Sequence, residues 1–401
     1  AWLQVRQSHG PDEESFAALR RLFEHTGRHA DLARLLTETA ELAQDDARRV
    51  ELHLALGEVH RQHTGDILSG LEAFVAAAAW QRCIEVAGAT HVGRELGRKA
   101  VATLYRHATA AWAKDAANTG AERASLWALE ELTERLLEAG EHGEVVQLLL
   151  SAVELPLSPR RKRELQRDAA AMCADRLEQP ERAIELLTRL LAEDPTDTVA
   201  QTAVNRLSAL LEHAGRFAEV AALWESQAEW RLSKGDRGAA AALLTRAAEI
   251  WEEKALDIPR AMAVFTRAGE LGGEPALDAL ARLHTARGEH GAAASVLERL
   301  VKQSGRSELA GRALRLADAL VAAGDPGRAQ GVLEDAVVRA LDPRALRARL
   351  ADLYREAKAW ERLAELLVAE AASSADVHSR SALLQQAAAV HLEQRKRSEE
   401  R

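Results

Sequence analysis

The histidines, cysteines and clustered arginines are the residues of this sequence that could do chemistry. His60 and His63 fall on one helical face, with His53 about two turns earlier. Imidazoles so spaced can hold zinc, but no cysteine or paired acid completes a ligand set. They read as the end of a helix near the Gly65 turn, and no metal is expected. His25 and His29 straddle a second turn, and His29 stands where other segments place Phe217 or Trp360, which makes it a packing residue. Cys83 and Cys173 are too sparse for a disulfide framework and read as small buried apolar groups. Arg160, Arg161, Lys162 and Arg163, after Ser158-Pro159, form one basic run. It could contact nucleic acid or an acidic partner. No second basic stripe or aromatic ladder supports nucleic acid, so the plainer reading is the solvated first turn of a helix. Arg395-Lys396-Arg397 is balanced by neighbouring glutamates and reads as surface. The tryptophans are core by default, with Trp112 and Trp230 the candidates for exposure because polar residues flank them. There is no Gly-rich phosphate loop, no His-Glu-x-x-His, no Gly-x-Ser-x-Gly and no Cys–His pairing in a plausible frame. No catalytic residue and no cofactor is expected.

The elements that would position these groups are helices. Ala, Leu, Arg and Glu dominate, the strongest helix formers, while aromatics make up only 4% of the 401 residues. Hydrophobic residues at 47% and charged residues at 29% make a folding chain and not a disordered one. The net charge of −9 argues against general affinity for nucleic acid. No apolar run approaches the roughly 20 residues that span a bilayer. Residues 1–6 carry neither a basic leader nor an apolar core, but the sequence does not begin with Met, so this says little about compartment; a cytoplasmic location is the expectation by default alone. The bias to Arg and Ala points to a GC-rich bacterial genome.

One frame recurs along the chain. Leu277, Leu280, Ala281 and His284 mark the face of a first helix; Gly288-Glu289-His290 make a turn; Ala293, Leu297 and Leu300 mark a second helix. The spacings of three and four define one face of each helix. Equivalent turns fall at residues 28, 66, 141, 179, 216, 257, 289, 325 and 359. Their spacing averages about 37 residues once the step from 66 to 141 is taken as two, just above the 34-residue period of tetratricopeptide arrays. That double step places a hidden unit between residues 88 and 125, where 92–114 reads as one long helix and Asn118-Thr119-Gly120 as its stop. Segment 242–250 (ALLTRAAEI) also resembles 382–390 (ALLQQAAAV), about four units further on.

The frame resembles the tetratricopeptide repeat. The closest matches are Leu56-Gly57, Gly65-Asp66, Gly324-Asp325, Ala183 with Leu187 and Pro195, and Tyr354. The small residue that the family places as Gly in the first helix is Ala at 171, 281, 317 and 351. The resemblance covers nearly the whole chain and implies an all-α, right-handed solenoid of about ten or eleven helix-turn-helix units, continuous over 1–401, with an irregular register over 88–125. Both ends read as cut within a repeat of a larger protein. The resemblance further implies a non-catalytic scaffold that binds a peptide or protein partner along its first (A) helices. In this frame the groove positions include Arg282, Arg315, Asp318, Asp352 and Arg355. The family's Lys and Asn carboxylate clamp is not matched, since only Asn205 fits and Ala209 follows it. The alternative is a sensor or regulatory arm of an enzyme whose catalytic domain lies outside these residues.

Overall fold

The computed structural model describes Gln4 and residues 12–89, 93–193, 198–373 and 376–399, with side chains described as far as 392. Residues 1–3 and 5–11, Val92, Pro195 and the side chains of Arg395, Lys396 and Arg397, which the sequence reading used, lie outside that set. The described residues are helical with no strand, and they divide into two compact units, Ala1–Leu210 and Leu211–Arg401.

Unit 1 begins with α1 (Glu13–His25), α2 (His29–Leu42), α3 (Asp46–Val59) and α4 (Ile67–Ala76), with a π-helical turn, His60–Thr64, between the last two. There follow α5 (Trp80–Ala87), α6 (Arg94–Lys114), α7 (Thr119–Glu138), α8 (His142–Ala152), α9 (Pro159–Asp175) and α10 (Pro180–Glu193). Helix α11 (Thr198–His213) crosses the division. Unit 2 holds α12 (Phe217–Ser233), α13 (Arg237–Glu253), α14 (Ile258–Glu270), α15 (Glu274–Ala286), α16 (His290–Gln303), α17 (Leu309–Ala322), α18 (Pro326–Arg339), α19 (Arg344–Glu356), α20 (Trp360–Ser373) and α21 (Val377–Glu399). Within α1 to α10 and within α12 to α21, successive helices pack on one another, as a chain of hairpins requires.

The same local chemistry starts and stops the helices. Short polar side chains cap N-termini by accepting first-turn N–H groups: Asp12 from Ser15 at 2.7 Å, Asp66 from Ser69 at 3.2 Å, Asn118 from Ala121 at 2.9 Å. At the turns a left-handed residue reverses the chain, and the N–H of the next residue bonds back to a carbonyl in the last turn of the helix it leaves. Arg28 bonds to Phe23, Glu141 to Leu136, Arg216 to Leu211, Glu289 to His284 and Asp325 to Leu320, each at 2.9 Å, and Ala359 bonds to Tyr354 at 2.8 Å. Six of the turn positions read from the sequence are therefore the donors of the bond that closes each hairpin. Gln179 and Asp257 close a slightly longer loop, onto Cys173 and Trp251.

The structure adds turns that the frame missed. Ala79 bonds to Phe74 at 2.9 Å, so a tight turn joins α4 to α5, upstream of the expected 88–125 window. The rest of the double step is the long hairpin of α6 and α7. Asn118 belongs to its loop, where it caps the second helix instead of ending the first. The core of unit 1 forms two clusters. Phe16, Leu19, Leu36, Leu52 and Leu56 belong to one and Phe74, Leu104, Leu129, Val145 and Leu165 to the other, while α4 gives Ala73 to the first and Leu71 and Phe74 to the second.

Candidate partner-binding face

Helices α13, α15, α17 and α19 are A helices of unit 2, and charged residues pair each of them to the next. Arg282 of α15 reaches Glu252 of α13 through two bonds of 2.7 and 2.8 Å. Arg315 of α17 donates to Asp278 of α15 at 2.6 Å, and Arg349 of α19 donates to Asp318 of α17 at 2.9 Å. On α19 the series closes on itself, with Arg355 paired to Asp352 at 2.6 Å. All five predicted groove residues thus lie in one line of ion pairs, although only Asp352 and Arg355 meet each other. Glu252, Asp278 and Arg349 complete the line and were not among the predicted residues. Their signal was an acid recurring about one repeat before each arginine, which a reading one unit at a time does not register.

A second line ties the other helices. Glu229 of α12 pairs with Arg267 of α14, Glu298 of α16 with Arg328 of α18, and Glu334 of α18 with Arg362 of α20 at 3.6 Å. The Tyr354 hydroxyl donates to Glu334 at 2.6 Å. Burial first, and then that carboxylate, push the phenol above its usual range. Arg312 is the most enclosed of these cations, its side chain 13% exposed, and it binds Glu274 at 2.7 Å, Glu308 at 3.1 Å and the Ser304 hydroxyl at 3.1 Å.

The remaining candidates resolve as packing or local chemistry. The rings of His29 and His63 stack at 3.9 Å and 4°, and His60 Nδ1 meets the Thr64 hydroxyl at 3.0 Å. Burial first, then Arg49, lower the pKa of His53. Among the described residues no group of three His, Cys, Asp or Glu side chains is placed to hold a metal. Both cysteines are buried, and burial pushes the Cys83 thiol up to about 12. The basic run is the first turn of α9, where Ser158 accepts from the Arg161 N–H and Glu164 pairs with Arg160 at 3.2 Å and Arg161 at 3.1 Å. Those guanidiniums, Arg161 first, hold the Glu164 carboxyl below its usual range. Trp112 is a correction: flanking polar residues suggested exposure, but it is 2% exposed, because the long α6 turns that face into the core. Trp230 is half-buried under Arg231, which lies 4.6 Å from its ring centroid. No helix among the described residues is long and apolar enough to cross a membrane.

A chain of helical hairpins, each buried on the next, is an α-helical repeat array. Residues 276–308, covering α15 and α16, match the family described as tetratricopeptide repeat, and with the same hairpin recurring along the described residues the chain is a tetratricopeptide-like repeat protein. No curated protein matches it. Solved structures with similarity include yeast Tom70 (12% identity, 96% of each chain, TM-score 0.26) and the TPR domain of P58(IPK) (14%, 96% of this chain and 99% of that one, TM-score 0.24). BtubC (BKLC) from P. vanneervenii is 16% identical over 65% of this chain and 92% of its own, with a TM-score of 0.24. Repeats of this kind generally mediate protein–protein interaction, and proteins built from them are typically non-catalytic scaffolds.

Proposed function

We propose that this chain is a non-catalytic scaffold that binds an extended peptide or a helix of a protein partner across the A helices of unit 2, through Arg282, Arg315, Asp318, Asp352 and Arg355. The observation that carries this reading is the line of half-exposed ion pairs on that face. A solvent-exposed pair contributes only about 0–1 kcal/mol. A partner with acids and bases at matching intervals can therefore replace one member of each pair at little cost, and charge complementarity then selects the partner and its register. A polyanion or polycation meets equal numbers of repelling groups, so the face suits a peptide of mixed sign.

The test is affinity capture from the source cell, followed by binding of the captured protein to the purified chain and to a variant carrying Arg282→Glu, Arg315→Glu and Arg355→Glu. The variant should keep the wild-type helicity and lose the partner by at least tenfold. Equal binding by both chains would place the site elsewhere and overturn the groove reading.

A further inference from the structure

Helices α6 and α7 have 21 and 20 residues, while α5 before them has eight. The two long helices pack as one hairpin, so the first turns of α6 lie beside the last turns of α7. A cleft of about 590 Å³ opens at that end of the hairpin, the size of a small-molecule site. Its lining carries charges of both signs, with only the methyl groups of Ala89 and Ala139 among them. Some of these charges are already satisfied. Arg135 pairs with Glu131 at 2.7 Å, Arg98 with Glu141 at 2.6 Å and Glu95 with Lys99 at 2.8 Å. Three are not. Among the described residues, the side chains of Arg94 on α6 and of Glu134 and Glu138 on α7 have no partner.

These three charges stand where they cost stability. Arg94 is the first residue of α6, at the positive end of that helix. Glu138 is the last residue of α7, and Glu134 stands one turn before it, at the negative end. Each helix end favours the opposite sign of charge. Elsewhere in the array an acid is neutralised by an arginine two helices on, as Glu58 of α3 is by Arg82 of α5 at 2.6 Å, and Asp278 of α15 by Arg315 of α17. Arg160 and Arg161, which begin α9 two helices after α7, are bound instead by Glu164 of their own helix. Between α6 and α8 the sense of the pair is reversed, with the base, Arg98, on the earlier helix and the acid, Glu141, at the start of the later one. The cleft therefore lies where the pairing of the array breaks its own rule. Unpaired charges held against the helix field, around a ready cleft, mark a place where a ligand supplies the counter-charges.

We propose that this cleft binds a free basic amino acid, an arginine or a lysine. The open charges of the protein are one cation and two acids, and such a ligand carries one carboxylate and two cations. Its carboxylate answers to Arg94, whose guanidinium can grip it through two parallel N–H bonds. Its α-ammonium and its side-chain cation answer to Glu134 and Glu138. Residues four apart on a helix stand about 5–6 Å apart at Cβ, a gap that the flexible stem of the ligand bridges. An acidic amino acid would set its second carboxylate against a glutamate, and a neutral one would leave a glutamate unanswered. This site lies within unit 1 and does not depend on the charged A-helix face of unit 2.

The test is isothermal titration calorimetry of the full chain with L-arginine and L-lysine. Agmatine, which lacks the carboxylate, and Nα-acetyl-arginine, which lacks the α-ammonium, are the ligand controls. Arg94→Gln and Glu134→Gln are the chain controls. Both positions are exposed, so the helicity should be unchanged. Without ligand each variant should melt no lower than the wild type, because a charge opposed by the helix end is gone. The expected result is saturable binding of arginine that each change to chain or ligand weakens at least tenfold, with Arg94→Gln erasing the preference for arginine over agmatine. The proposal is overturned by absence of binding at millimolar arginine and lysine, by L-glutamate binding as tightly, or by equal affinity of the wild type and Glu134→Gln. Agmatine bound by the wild type as tightly as arginine would leave a plain cation site and overturn it as well.

Discussion

A methyl group at Gly57 would lie 2.5 Å from Cε1 of Phe74, nearer than a side-chain carbon can sit. Gly57 occupies the small position of its hairpin, where the A helix touches the aromatic of the following one. In other units that place is filled by Ala281, Ala317 and Ala351, all buried. There the facing residue leaves room for a methyl; at Gly57 the ring, fully buried itself, has nowhere to retreat. Gly57→Ala should therefore destabilise unit 1 by about 1–3 kcal/mol, the usual cost of overpacking, despite alanine's better helix propensity. Thermal or urea unfolding decides it. An unchanged or raised stability would mean that Phe74 repacks freely, contrary to its tight enclosure. The Leu-Gly pair at 56–57 was legible in the sequence, but the reason for it was not, because Phe74 lies beyond the turn on the following helix and nothing local announces the contact.

The turns show where reading by residue type succeeds and where it stops. Eight of the left-handed turn residues among the described positions are glycine, and six of these, all but Gly235 and Gly272, carried the sequence frame. The other four are Ala78, Glu178, Leu256 and Lys358, with φ between 51° and 56°. The frame caught three of the four through their neighbours at 179, 257 and 359, where a proline or an aromatic follows. It missed Ala78 because a run of alanines carries no turn signal, and so the hidden unit was sought downstream. Holding a side chain in the left-handed region costs roughly 1 kcal/mol. Lys358→Gly removes that cost while keeping the Ala359 to Tyr354 bond, and the greater freedom of glycine in the unfolded chain gives part of it back. The expected net effect is a gain of about 0.5 kcal/mol, seen as a higher melting temperature. The reverse change at a matching turn, Gly324→Ala, should cost about 1 kcal/mol. A loss of stability in Lys358→Gly would show that its side chain makes contacts worth more than the strain.

At the scale of the whole molecule, stability in an array of this kind is a sum over units and the contacts between neighbours. The helical periodicity was legible along the sequence because each helix must bury one stripe. The charge pairing between units was not, since an arginine's partner sits about one repeat back and either sign alone looks like a solvated surface. Nearest-neighbour coupling has a consequence that a single globular core would not show. Phe265 is fully buried in α14, which packs on α13 and α15. Phe265→Ala should cost about 3–5 kcal/mol, concentrated in the helices that touch it. Hydrogen exchange should then speed up most in α13 to α15, less in the helices flanking them, and little or not at all in α1 to α4, which belong to the other compact unit. Uniform acceleration over the entire chain would mean that the two units unfold as one cooperative body, and the additive picture of the array would fail.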